Sequence, residues 1–139
     1  MSPILEKSKT QNRTAWILVF IYAACIFIAS SLPGSNPLLK SLEKYVWDKF
    51  LHLLEYMVLG ILLVRALALS FKYRSFEHLI FMTFVFGSLY ALSDEWHQSF
   101  VPMRDASLYD WMTDSMGLLA GAYVWGGKIV KELKRKENA

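Results

Sequence analysis

The feature that most constrains this chain is an apolar run from Ala15 to Leu32, eighteen residues without a charge. A helix of this length and composition is long enough to cross the hydrocarbon core of a bilayer. Backbone polar groups in lipid must be satisfied within their own segment, so the run predicts a transmembrane α-helix. It ends in SSLPG without the small-residue cleavage site of a signal peptide, and we therefore expect it to be retained as a membrane span.

Three further apolar segments follow, at about residues 50–69, 76–93 and 111–130. Their uncharged cores of 9 to 15 residues would by themselves also suit helices of a soluble protein. However, 55% of the chain is hydrophobic and only 19% is charged, whereas a soluble domain has about a quarter of its residues charged. The sequence therefore predicts an all-α fold, a four-helix transmembrane bundle that forms one domain over residues 1–139.

Tryptophans and basic residues predict how the four spans are oriented. All five tryptophans fall near segment ends, as in the aromatic belt at the water–lipid interface: Trp16, Trp47, Trp96, Trp111 and Trp125. With the N-terminus inside, the inner segments carry at least ten Lys and Arg residues and the outer loops carry four. Positive residues concentrate on the cytoplasmic side, so both termini are expected there. The basic tail at 128–139 is expected to contact anionic lipid head groups rather than nucleic acid.

Two polar clusters lie on the external side in this topology. The first, WDKFLHLLEY at 47–56, enters span two. The second, SDEWHQSFVPMRDASLYD at 93–110, is interpreted as the outer loop between spans three and four. At about 100° per residue, Asp48, His52 and Glu55 share one face of a helix. Ionisable groups near or within spans are costly and usually functional, so we expect the two clusters to form one composite site.

Span four contains a pattern that predicts close helix packing. Gly117 and Gly121 form a G-x-x-x-G pair and continue the stripe begun by Asp110 and Asp114. Small residues at this spacing let two helices approach closely, which would turn the two acids into the bundle rather than towards lipid. An acid at a helix start also favours the helix dipole, so Asp110 has an alternative interpretation that requires no site.

These motifs resemble the VanZ-like family of small bacterial membrane proteins, named for a teicoplanin-resistance factor. The resemblance covers about residues 15–125 and rests on SSLPG at 30–34, DKFLHLLEYMVLG at 48–60 and SDEWHQSFVPMRDASLYDWMTDSMGLLAG at 93–121. The positions that match the family pattern are Asp48, Lys49, His52, Tyr56, Gly60, Asp94, Glu95, Gln98, Pro102, Arg104, Asp110, Gly117 and Gly121. Two positions depart from it, since Met103 replaces the usual Gly and Asp114 replaces the usual Asn.

The matching residues suggest metal binding or acid–base chemistry. Carboxylate oxygens and imidazole nitrogens suit a divalent metal ion, the candidate cofactor, and the candidate ligands are Asp48, His52, Asp94, Glu95 and Asp110. The candidate catalytic residues are His52, Glu95, Asp94 and Asp48, with Glu95 or His52 as general base. The candidate substrate-binding residues are Lys49, Tyr56, Gln98, Arg104 and Asp110. Among these, Lys49 and Arg104 suit a phosphate or carboxylate.

The resemblance implies a role in the envelope at the bacterial cell membrane and, in some members, lowered sensitivity to glycopeptides such as teicoplanin. The outer cluster is mostly acidic, which favours a metal-dependent hydrolase or transferase that acts on a lipid-linked or surface envelope component. A non-catalytic protein that binds a lipid head group, a cell-wall precursor or the antibiotic is the alternative. A small transporter is a third possibility, weakened because the charges lie at one face. The expected partner is a membrane lipid or lipid-linked precursor, and no nucleic acid.

Overall fold

The structure, a computed structural model, describes residues 3–33, 42–71, 75–104 and 106–137. These residues form four helices and no strand: α1 (Pro3–Ser30), α2 (Leu42–Ser70), α3 (Phe76–Gln98) and α4 (Leu108–Glu137). The predicted all-α, four-helix fold is therefore confirmed. The predicted outer loop around Lys40, the predicted inner loop with Lys72 and Arg74, and the positions of Gly34 and Asp105 lie outside the described residues.

Three of the four helices are long and apolar enough to cross a membrane. They contain the stretches Lys9–Ser30, Trp47–Ser70 and Phe76–Gln98. Among the described residues, α4 does not meet the same criterion. Its sequence explains why, because glycines, aromatic residues and Asp114 occupy positions at which the other helices carry aliphatic side chains. A membrane crossing by α4 stays a prediction.

The bundle is organised around α2, which packs against all three other helices. Its most extensive contact is with α4, and α4 also packs on α3. In the described part of the chain, α1 lies along α2, touches α3 at a few positions and does not contact α4. The core between these helices includes Tyr56, Leu67, Leu79 and Leu118, each at most 1% exposed. Most of the buried polar residues lie on α2, α3 and α4, and these three helices all pack against one another.

Glycines allow the backbones of α2 and α4 to touch. A Cβ atom added to Gly117 would collide with the carbonyl oxygen of Leu53, and one added to Gly121 would collide with that of Met57. Gly60 of α2 meets the backbone of α4 in the same way. Because the obstructing atoms are main chain rather than flexible side chain, no rotamer change relieves the collision. This contact brings the first turns of α4 against the first half of α2.

The polar stretch at 93–110 is not a single loop, and this part of the prediction was wrong. Helix α3 continues to Gln98, and the segment that connects it to α4 is 99–107. No proline or glycine interrupts the chain until Pro102, so the helix extends beyond the apolar run that precedes it. Asp94 and Gln98, four residues apart, both point into the bundle and are buried.

The connecting segment contains a strained residue. Met103 has a backbone φ of 60°, a left-handed conformation that is otherwise not adopted by non-glycine residues in the described ranges. This conformation costs an L-residue about 1–2 kcal/mol, whereas glycine adopts it freely. Met103 occupies the position at which the VanZ-like pattern usually has glycine, and the turn itself provides the physical reason for that preference.

Candidate functional site

The candidate site lies where α1 and α3 end and α2 and α4 begin. Successive helices run in opposite directions, so these four ends come together at one end of the bundle. Seven polar or charged residues at this end are buried: Ser30, His52, Asp94, Glu95, Gln98, Asp110 and Asp114. The two polar clusters, separated by about forty residues in the sequence, therefore meet in the folded chain.

The centre of the site is formed by His52, Glu95 and Asp114, which we call the acid–imidazole centre. His52 Nδ1 lies 3.0 Å from Asp114 Oδ1. Each of the three residues offers one nitrogen or oxygen atom that lies within 4.8 Å of those of the other two, and all three residues are buried. They come from three different helices, α2, α3 and α4. The arrangement thus depends on the tertiary packing and not on one local motif.

Two carboxylate oxygens of the acid–imidazole centre have no hydrogen-bond donor in the part of the chain that the structure describes. Glu95 Oε2 accepts a hydrogen bond from the backbone N–H of Ser107 at 2.8 Å. The other oxygen of Glu95, Oε1, and Oδ2 of Asp114 are buried without a partner among the described residues. Leaving a buried acceptor unsatisfied costs about 1–3 kcal/mol, and more when the group is charged. These oxygens are therefore available to a cation or a proton.

Asp94 is next to Glu95 in the sequence but lies in a different environment. Its Oδ1 accepts from Ser30 Oγ at 2.6 Å, and its Oδ2 accepts from Gln98 Nε2 at 3.0 Å. The hydroxyl of Tyr56 donates to Oδ2 over a longer distance of 3.5 Å. Both oxygens are thus satisfied by donors from three helices. This geometry fits a group that fixes α1, α2 and α3 relative to one another.

A second polar group lies beside the acid–imidazole centre. Lys49 forms an ion pair with Asp110, and both side chains are largely buried. Asp48, which is exposed, belongs with His52 and Asp110 to another set of possible metal ligands within 4.8 Å of one another. The two sets share His52. In the second set, however, Lys49 already provides a positive charge to Asp110.

Arg104 contacts the backbone at the end of α1. Its Nε donates to the carbonyl oxygen of Leu32 at 3.2 Å, and its Nη2 donates to that of Ala29 at 3.3 Å. Ala29 lies in the last turn of α1, and Leu32 lies two residues beyond the end of that helix. The guanidinium therefore ties the connecting segment to the end of α1. Binding of a substrate phosphate or carboxylate by Arg104 stays a prediction, and Arg104 would have to combine it with this contact.

The remaining predicted residue on the face of α2, Glu55, is not part of either possible ligand set. Its side chain is half-buried, and its backbone oxygen accepts a hydrogen bond from Tyr22 at 3.2 Å. The spacing of Asp48, His52 and Glu55 correctly indicated a polar face. The acids that surround His52 come instead from α3 and α4, which helical spacing within α2 does not reveal.

Sequence reasoning assigned no role to two groups that the structure places in the site. Ser30 donates to Asp94, and the backbone N–H of Ser107 donates to Glu95. Ser30 belongs to SSLPG, so the motif contained a usable signal, whereas a backbone donor leaves none. His97 of α3 contacts the end of α1. It stacks on Phe27 with ring centroids 4.4 Å apart, and its Nε2 lies 3.0 Å from the hydroxyl of Ser31.

Comparison with known proteins adds a family to this geometry. Residues 6–130 match the VanZ/LLP1 family, a range that contains nearly the whole chain and every residue of the site. No curated protein matches the chain significantly. No solved structure does so either. The extent of this match establishes that the chain belongs to the VanZ/LLP1 family.

Proposed function

We propose that this protein acts, from the extracytoplasmic side of the bacterial membrane, on the polar group of a lipid-linked or surface envelope component. The consequence for the cell would be lowered sensitivity to teicoplanin. Membership of the VanZ/LLP1 family and the three helices able to cross a membrane support the membrane location. The acid–imidazole centre supports proton transfer or cation binding at the end of the bundle where α2 and α4 begin.

One observation carries the proposal. Within the described ranges, Glu95 Oε1 and Asp114 Oδ2 are buried beside an imidazole without a hydrogen-bond partner. A polar cluster that served only to hold helices together would satisfy its acceptors, as Asp94 does. Buried acids that lie next to a histidine are common in functional sites. Proton transfer or cation binding at this centre is therefore the use that fits best.

The placement of the cations favours catalysis over simple capture of an anionic head group. A head-group binder needs positive charges that are available to the ligand. Lys49 is paired with Asp110, and Arg104 donates to the end of α1. The acids exceed the cations around His52, which disfavours an anion held by charge alone. A hydrolytic or group-transfer reaction is the more consistent activity.

The proposed external location is supported by residues at the two ends of the bundle. Trp47 and Trp96 are exposed at the end that carries the site, and Trp125 is exposed towards the opposite end. Exposed tryptophans at these depths suit the two water–lipid interfaces. The excess of basic residues in the N-terminal segment, the predicted inner loop and the tail supports a cytoplasmic location for the opposite end.

The experiment that tests the proposal is a teicoplanin susceptibility measurement in a sensitive host that expresses the parent or Glu95→Gln. This substitution keeps the shape of the side chain and removes its charge. We expect Glu95→Gln to lose the whole increase in minimum inhibitory concentration that the parent confers, at an equal amount of protein in the membrane.

Glu77→Gln is the matched control, because Glu77 is an exposed acid at the other end of the same helix. It should retain the tolerance of the parent. If Glu95→Gln keeps full tolerance per molecule, or if the parent confers none, the proposed function is wrong.

A further inference from the structure

We infer that His52, Glu95 and Asp114 bind one divalent first-row transition metal ion. The inference rests on the site of the proposed function and deepens it by naming the cofactor and its ligands. It also separates these three residues from the wider set of acids at the same end of the bundle. Asp94 and Asp110, which the sequence suggested as ligands, have other partners.

The geometry of the three side chains fits a single ion. One nitrogen or oxygen atom from each residue lies within 4.8 Å of the others. Two ligands on opposite sides of a transition metal ion are separated by about 4 Å, since each bond is about 2.0–2.2 Å long. Side-chain adjustments would have to bring the three atoms somewhat closer together for all of them to reach bonding distance.

The unpartnered carboxylate oxygens of the centre also favour a bound cation. Glu95 is 5% exposed and Asp114 is 0% exposed, so neither carboxylate is solvated by bulk water. Each nevertheless has one oxygen without a donor among the described residues. The other oxygen of Glu95 is held by Ser107, which fixes the orientation of the carboxylate. An outer hydrogen bond of this kind commonly orients a metal ligand.

The charge of the centre calls for a divalent cation. If both carboxyl groups are ionised, they carry a net charge of −2 beside a neutral imidazole, and a protonated His52 would reduce this to −1 in a buried position. Unpaired buried charge is costly, and a single divalent cation would neutralise both carboxylates. Lys49, which lies beside this centre, forms an ion pair with Asp110.

The alternative set formed by Asp48, His52 and Asp110 is less suitable. Lys49 already neutralises Asp110, and Asp48 is exposed to solvent. A cation at that position would have to approach the lysine ammonium group. The buried set is therefore preferred on both charge and burial.

The ligand chemistry selects the class of ion. An imidazole nitrogen with carboxylate oxygens suits Zn²⁺, Mn²⁺ or Fe²⁺, whereas Mg²⁺ and Ca²⁺ prefer oxygen ligands alone. Three protein ligands leave at least one position on the ion for water or substrate. A bound ion would supply a nucleophilic water at neutral pH or polarise a phosphoryl or carbonyl oxygen. Glu95 then acts as a ligand and not as a free base.

The test uses the full chain, purified in detergent, stripped with a chelator and titrated with Zn²⁺ by calorimetry. We expect a single ion per chain and a rise in Tm on binding. Glu95→Gln and Asp114→Asn, which retain the shapes of the side chains, should each weaken Zn²⁺ binding at least about 100-fold, which is the upper end of the loss seen when even an outer-shell partner is changed. Mn²⁺ should compete with Zn²⁺, and Mg²⁺ should not.

Asp48→Asn distinguishes the two ligand sets, because Asp48 belongs only to the alternative set. Like Asp114→Asn, it removes one negative charge near His52, which lies one helical turn away. It should bind Zn²⁺ like the parent. The inference is overturned if the parent binds no Zn²⁺, if Asp114→Asn binds it as tightly as the parent does, or if Asp48→Asn and not Asp114→Asn loses binding.

Metal binding and tolerance are separate measurements. Stoichiometric Zn²⁺ binding that depends on Asp114, in a protein that confers no tolerance, would uphold the metal site and overturn the proposed function. Tolerance that depends on Glu95 without any metal binding would do the reverse.

Discussion

Replacing Gly121 with leucine is expected to prevent the bundle from folding, so that little protein accumulates in the membrane. Even the Cβ atom of the new side chain would collide with the carbonyl oxygen of Met57, and the adjacent Ile61 N–H lies close by. Overpacking a core costs about 1–3 kcal/mol when side chains can move aside. Here the obstructing atom belongs to the backbone and cannot move aside, so the cost should be larger. Such a cost is a substantial share of a typical free energy of unfolding of about 5–15 kcal/mol. Membrane yield and Tm in detergent measure the effect.

Gly127→Leu is the matched control on the same helix. A Cβ atom at Gly127 meets only the ring of Phe76, at the ordinary contact distance of 3.9 Å, and the position is exposed. This variant should accumulate and melt like the parent. If Gly121→Leu does so as well, the close backbone contact between α2 and α4 is wrong, and so is the position of Asp114 that depends on it.

Exchanging Asp94 for asparagine should destabilise the protein, whereas Glu95→Gln, one residue away, should not. Asp94 accepts hydrogen bonds from Ser30, Gln98 and Tyr56, and the amide group of asparagine would direct N–H groups at some of these donors. Hydrogen bonds to a charged group contribute about 1.5–3 kcal/mol each. We expect Asp94→Asn to lose about that much stability, seen as a Tm lower by several degrees.

Glu95→Gln removes charge from a carboxylate that has one donor and one unsatisfied oxygen. Relief of that buried charge offsets the weaker hydrogen bond from Ser107, so its Tm in the metal-free protein should equal or exceed that of the parent. Equal losses of stability in the two variants would contradict the division of labour between these neighbouring acids. The same outcome would favour a purely structural role for both.

The sequence allowed much of this to be predicted, because long apolar runs and four-residue spacings are local properties. The eighteen-residue apolar run indicated the helix α1. The G-x-x-x-G pair indicated that α4 packs closely against a neighbouring helix. The motifs at 48–60 and 93–121 identified the residues that now meet at one end of the bundle. These inferences needed only the geometry of an α-helix and the predicted order and orientation of the four spans.

The features that escaped prediction depend on which atoms of distant segments come together. Asp94 and Glu95 are adjacent and look equivalent in sequence, yet rotation by about 100° along the helix directs them to different neighbours. Arg104 has the chemistry of an anion-binding residue, but the end of α1 lies within its reach. The length of α3 was underestimated because its last turns carry polar side chains, and a polar stretch after an apolar run is usually interpreted as a loop. In the structure these side chains are buried inside the bundle.

The central claim is that the acid–imidazole centre faces the outside of the cell, and cysteine labelling tests it directly. Ser99→Cys and Ser75→Cys mark the two ends of α3, since both serines are exposed and flank the helix. Cys25, the sole native cysteine, would first be replaced by alanine. A membrane-impermeant maleimide applied to intact cells should label Ser99→Cys, and should label Ser75→Cys only after permeabilisation. Labelling of Ser75→Cys alone in intact cells would place the site on the cytoplasmic side and contradict the account.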